Sequence, residues 1–116
     1  MLERKLIAAV KAARADAKVY HDFAPEEAKP PFVLLARVGG AGRPYLGGDA
    51  AAEVRVQISA WAAERLAAVE LSQQIETALY ALPEVSAAGA AVSAFDDGTG
   101  WRGMMQDFIV LEQTDV

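Results

Sequence analysis

Cysteine is absent from the 116 residues, and histidine occurs once, as His21. Without cysteine there is no disulfide framework, no thiolate metal site and no thiol nucleophile. A lone imidazole excludes a multi-histidine metal centre built within one chain. Redox compartment is left open by the same absence. Apolar runs are short, and none approaches the roughly 20 residues that cross a bilayer. Glu3, Arg4 and Lys5 stand where a secretory leader would carry its apolar segment, so no such leader is expected. Large apolar side chains are scarce too. The apolar share is 53%, but 25 of these residues are alanine, leaving 37 larger ones, nine of them aromatic. Burial is worth roughly 25 cal/mol per Å² of apolar area, so alanine contributes little and the core is expected to be thin. The content of Val, Leu and Ile beside 23% charged residues still places the chain on the globular side, as one domain over residues 1–116.

Charge is of mixed sign but segregated. Residues 1–18 carry five bases (Arg4, Lys5, Lys11, Arg14, Lys18) against Glu3 and Asp16, a balance of +3. Residues 19–116 carry six bases against fourteen acids, a balance of −8. An acidic domain with one basic element is a poor nucleic-acid binder, because phosphate neutralisation needs a concentrated basic face. A basic helix that is simply solvated is one reading. The sharper one is that it meets an acidic surface on a neighbouring copy, through Arg4, Lys11, Arg14 and Lys18.

Along the chain, Leu2, Leu6, Ala9, Val10, Ala13 and Ala17 recur at helical spacing and predict an amphipathic helix over 2–17. Lys18 to Phe23 alternates as a short strand, with Val19, His21 and Phe23 on one side; His21 is expected to be partly buried there rather than a base. Pro25, Pro30 and Pro31 bound a loop. Phe32 to Val38 reads as an apolar strand, and Glu53 to Trp61 as a half-buried one with Val54, Val56, Ile58 and Ala60 on one face. A second helix is predicted over 63–82, with Leu66, Val69, Leu71, Ile75, Ala78, Leu79 and Leu82 as its stripe and Pro83 just beyond. Ala90 to Phe95 and Met104 to Glu112 read as two strands joined by turn residues Asp96 to Gly100. The order α-β-β-β-α-β-β predicts an α+β fold, a mixed and mostly antiparallel β-sheet packed against two helices.

No reaction centre stands out. Gly40-Ala41-Gly42 begins a dinucleotide fingerprint, but Tyr45 occupies the sixth position and a strand follows, not a helix. No Gly-Lys-Ser/Thr ending makes a Walker loop either. Gly39 to Gly48, with five glycines, reads instead as a long hairpin arm whose Gly42, Arg43, Tyr45 and Leu46 dock onto a partner. Asp96, Asp97 and Asp107 are the acids that a small ligand-binding or enzymatic α+β domain would place in a pocket; as turn and strand residues they need no such role. Trp61 and Trp101 sit in an acidic context that favours packing or an interface over base stacking. No cofactor and no metal is expected.

The ordered landmarks resemble the phage tail-completion proteins over residues 2–112. They are the strand Lys18 to Asp22 after the first helix, the proline-led strand Pro31 to Leu35, the glycine-rich connection, and Glu53 to Trp61 followed by Ala62-Ala63-Glu64. Gln106 to Val110 closes the series, and Arg55 to Ala62 is the most recognisable part. An alanine-rich run over Ser86 to Ala94 departs from the family pattern. The resemblance implies a non-enzymatic structural protein of a tailed phage, prophage or gene transfer agent. It implies a ring, commonly of six subunits, that caps the finished tail tube or joins tail to head. The implied partners are further copies, the tail tube protein and neck or connector proteins, with no membrane and no sequence-specific nucleic acid. The implied location is the virion tail or neck, after assembly in the host cytoplasm. A head-side connector of the stopper type shares the small size and the ring habit and is the nearest alternative.

Overall fold

The structure, a computed structural model, describes residues 2–41 and 51–113. Its elements run α1 (Leu2–Ala13), β1 (Lys18–His21), β2 (Phe32–Ala41), β3 (Ala51–Ala62), α2 (Arg65–Tyr80), β4 (Val85–Ala87), β5 (Val92–Phe95) and β6 (Arg102–Gln113). The strands form one six-stranded sheet in the order β1-β2-β3-β6-β4, with β5 also paired to β6. β1 is parallel to β2 and every other pairing is antiparallel, which makes the sheet mixed as expected.

Period-two alternation on β3 builds the core. Val54, Val56, Ile58 and Ala60 are all buried, and their neighbours on the same face are Val33 and Leu35 of β2 and Phe108 and Val110 of β6. Both helices cover this face, α1 through Leu2, Leu6 and Val10 and α2 through Leu71, Ile75 and Leu79, so that one cluster joins all three layers of contact. Each fully buried Leu, Ile or Phe is worth about 1.5–3 kcal/mol. Alanine fills the gaps where α2 approaches the sheet, with Ala68 buried.

Several expectations are corrected. The first helix ends at Ala13, not Ala17, because Arg14 turns back onto Asp16 with Nε–Oδ1 2.8 Å and Nη2–Oδ2 2.9 Å. Residues two apart do not face each other on a helix, so this pair closes a turn instead. β1 stops at His21, since Asp22 has φ 73° and bends the chain away; His21 and Phe23 are exposed, not partly buried. The second helix is Arg65–Tyr80 rather than 63–82, with Glu64 extended at its start, and Leu66 points into solvent at 81% exposure. A strand that was not expected, β4, leads into the alanine-rich run, and only its Val85 is buried. β5 is accordingly shorter than foreseen and β6 longer.

An ion-pair clamp closes one end of the core. Arg37 of β2 donates to both carboxylate oxygens of Glu3 on α1 and reaches Glu112 of β6 at 3.1 Å. Hydrogen bonding from Arg37 holds the Glu3 carboxyl below its ordinary value near 4.5, against the opposing effect of its burial. A carboxyl with a lowered folded-state pKa contributes stability above its unfolded value and loses it as pH falls through the folded one. Urea midpoints are therefore expected to fall between pH 6 and pH 3, and to fall less in Glu3→Gln. An equal acid slope in both proteins would remove the clamp as the cause.

Candidate functional site

With both helices on one face, no helix covers the other face of the sheet among the described residues. It carries Leu34 and Ala36 of β2, Arg55 and Gln57 of β3, and Met105, Asp107 and Ile109 of β6, as the cross-strand register requires. The charges at its centre are mutually satisfied. Arg55 donates to Asp107 at 2.8 Å and Gln57 to the other oxygen at 3.3 Å. At one end an aromatic group closes the face. Phe32 stacks on Trp61 (6.4 Å between centroids) and takes Trp101 (5.6 Å) and Tyr20 (6.0 Å) edge-on. Trp101 and Trp61 thus pack, as their acidic context suggested. Gly103, opposite Trp61, leaves the space into which the indole lies; a Cβ there would stand 2.9 Å from three ring carbons.

The proposed basic surface is split by the fold. Arg4 and Lys11 lie exposed on α1, with no ion pair among the described residues. Arg14 is past the helix end and is committed within the chain, to Asp16 and to Gln74 of α2 at 2.9 Å. Lys18 sits on β1, at the edge of the sheet. Lys5, not among the expected residues, binds Glu84 and ties α1 to the segment before β4. Gly42, Arg43, Tyr45 and Leu46 lie outside the described residues.

The acids do not converge. Asp96 accepts from Thr99 Oγ1 at 2.7 Å and from the Gly98 amide at 3.3 Å, which is turn chemistry. Asp107 is five residues beyond Arg102, the partner of Phe95, so about 17 Å of strand separates it from that turn. A concavity of 570 Å³ opens elsewhere, between the end of α1, the start of α2 and Pro31, lined by Arg14, Asp16, Glu64, Glu70 and Gln74. Its Asp16 carboxyl is held below the usual range by the Arg14 hydrogen bonds, an ionised and already partnered group. The arrangement offers surfaces for contact rather than a base poised over a nucleophile. Sequence reasoning also missed Arg65, which donates to the carbonyls of Gly103 (2.6 Å) and Ala94 (2.8 Å) and holds the β5–β6 hairpin to the start of α2. Its only sequence signal was a base just after Glu64, where a helix was already expected to open.

The model of the family described as "Tail completion protein gp17" matches residues 4–112. The chain belongs to that family. Tail completion proteins are structural components of phage-type tails, and this chain is a structural protein of such a tail, located in the tail or neck of the virion. No curated protein sequence matches it. Among solved structures, a chain of the "Virion of native gene transfer agent (GTA) particle" shares the fold, with TM-score 0.64 and 19% identity over 92% of this chain and 86% of that chain. The family match reaches every element described above, from within α1 to within β6.

Proposed function

We propose that this protein caps the completed tail tube and joins it to the head as a closed ring of identical subunits, six being the number usual for the family it resembles. The observation that carries this reading is the family match over residues 4–112. The surfaces support it. A ring closes through head-to-tail contacts between two different but matching patches, and α1 presents Arg4 and Lys11 on a chain that is otherwise acidic. Self-association is expected to weaken as salt rises from about 0.01 M to 1 M, over which the Debye length falls from about 30 Å to about 3 Å. Arg4→Glu/Lys11→Glu is expected to abolish it at low salt. Light scattering at several concentrations checks both, and association indifferent to salt and to both reversals would remove the charge-matched contact. Tails assembled without the protein are expected to stay unjoined to heads until the purified chain is added; joining that needs no such addition would overturn the role itself.

A further inference from the structure

The sheet has two free edges that match each other. Among the described residues, β1 pairs only with β2 and β5 only with β6, which leaves the outer side of each unpaired. Both strands are four residues long. Both lie at the same level of the sheet, since one row of partners runs Val19, Val33, Ala60, Met104, Ser93. They also run in opposite directions: β1 is parallel to β2, and three successive antiparallel pairings separate β2 from β5. A copy related by rotation about a ring axis therefore presents its β5 antiparallel to this β1, with the helix layers of both on the same side.

We propose that β1 of one subunit pairs with β5 of the next, so that the sheet continues from subunit to subunit. This deepens the ring reading and rests on it. Backbone directions set the register. The Asp22 amide donates to Leu35 O at 2.9 Å, so Tyr20 and Asp22 face β2 and Val19 and His21 turn outward; the His21 C=O already accepts from the Phe23 amide at 2.9 Å and keeps only its second lone pair for a neighbour's N–H. The Asp96 amide donates to Trp101 O at 3.1 Å, so Ala94 faces β6, and Ser93 and Phe95 turn outward. Pairing Val19 with Phe95 and His21 with Ser93 uses all four outward residues. The same register sets Lys18 opposite Asp96, a base against an acid, and Tyr20 opposite Ala94. Faces agree as well: Val19 packs towards the helix-covered core, and Phe95 lies on that side under Arg102, 4.3 Å from its ring centre.

The β5 edge is unguarded. Free strand edges are normally protected by charge, proline or a bulge, yet Val92 to Phe95 has no charged residue and no proline. Val92 and Phe95 are 60% and 49% exposed, large apolar side chains left open at that edge. Arg65 holds this hairpin in place from the helix side and leaves its outer edge clear. A four-residue pairing is small, so it is expected to be weak between two free subunits and to strengthen on ring closure, when every copy makes it twice.

The absence of native cysteine makes the test direct. In Tyr20→Cys/Ala94→Cys the two thiols of one chain lie four strand spacings apart, about 19 Å, beyond disulfide reach. Between neighbours in the proposed register they are a non-hydrogen-bonded pair, with Cα atoms about 4.5 Å apart. Mild oxidation of the concentrated full chain is expected to give a ladder of dimers, trimers and larger species on a denaturing gel. Each single variant is expected to stay monomeric, and an equimolar mixture of the two singles to give dimers only. Lys18→Cys/Asp96→Cys provides a second pair with the same expected ladder, should the loss of Tyr20 disturb folding. Oligomers by light scattering without a ladder from either pair would overturn the edge pairing and leave the ring standing. Monomers at every concentration and no ladder would overturn both.

Discussion

Phe108→Ala is expected to lower the unfolding free energy by about 3–5 kcal/mol, the range for removing a buried aromatic side chain. The ring is wholly buried on β6, beneath α2, and packs edge-on against Tyr80 with centroids 5.6 Å apart. Its neighbours are poorly placed to refill the space. Val56 lies opposite it on β3 and Ala87 on β4, and both are anchored by ladder hydrogen bonds. Domains of this kind are stable by only about 5–15 kcal/mol, so the variant should spend a measurable fraction of its time unfolded. In urea the midpoint should fall with little change in slope. Leu66→Ala provides the contrast: a leucine of the same expected stripe, but exposed on α2, for which a change within about 0.5 kcal/mol is expected. Equal losses at the two positions would show that the core is not where the structure puts it.

Gly103→Val is expected to cost about 1–3 kcal/mol by overpacking, and to do so through an aromatic ring rather than the backbone. Nothing about the backbone at position 103 demands glycine; its φ is not positive. The demand comes from across the strand pair, where the Trp61 indole occupies the volume of the missing side chain. That indole is stacked on Phe32 and cannot swing aside without breaking the aromatic group at that end of the sheet. Its Nε1 is buried without a partner among the described residues, so displacement into water would be partly offset by a hydrogen bond gained. Tryptophan emission is expected to shift to the red along with the loss of stability. Lower stability with unchanged emission would mean that Trp61 held its place and the strand moved instead.

What could be read from the chain before folding follows from the range of the interactions. β3 was plain because alternation over the nine residues Glu53 to Trp61 is a local signal, and its four core residues are the ones expected. Leu66 misled for the same reason: it lies at helical spacing from Val69, but the buried side of α2 runs through Ala68, Leu71, Ile75 and Leu79, and Leu66 is turned away from it. β4 is three residues with a single buried side chain, too short to show any period. The clamp of Glu3, Arg37 and Glu112 joins three elements that only the fold brings together, and no local pattern announces it. Of the proposed assembly surface, the bases of the first eighteen residues were visible as a charge imbalance. That Arg14 is spent on Asp16 and Gln74, and that Lys18 sits on an edge strand, depends on where the helix stops. The uncharged run Val92 to Phe95 was visible too, but which strands end a sheet is a property of topology.

β6 is the hub of that topology, since β3, β4 and β5 all take their partners from it. Its pairing with β3 joins residues 51–62 to 102–113, the longest loop closure among the strand pairings. Such non-local contacts are slow to form, because chain entropy is lost before the contact repays it. During synthesis the buried face of β3 therefore waits for the last strand, and β5 has nothing to pair with until β6 follows it. A subunit acquires the edge proposed to receive its neighbour only in the final step of its own folding. In the proposed ring, folding order then sets assembly order: a partly made chain has no finished β5 edge to offer a neighbour.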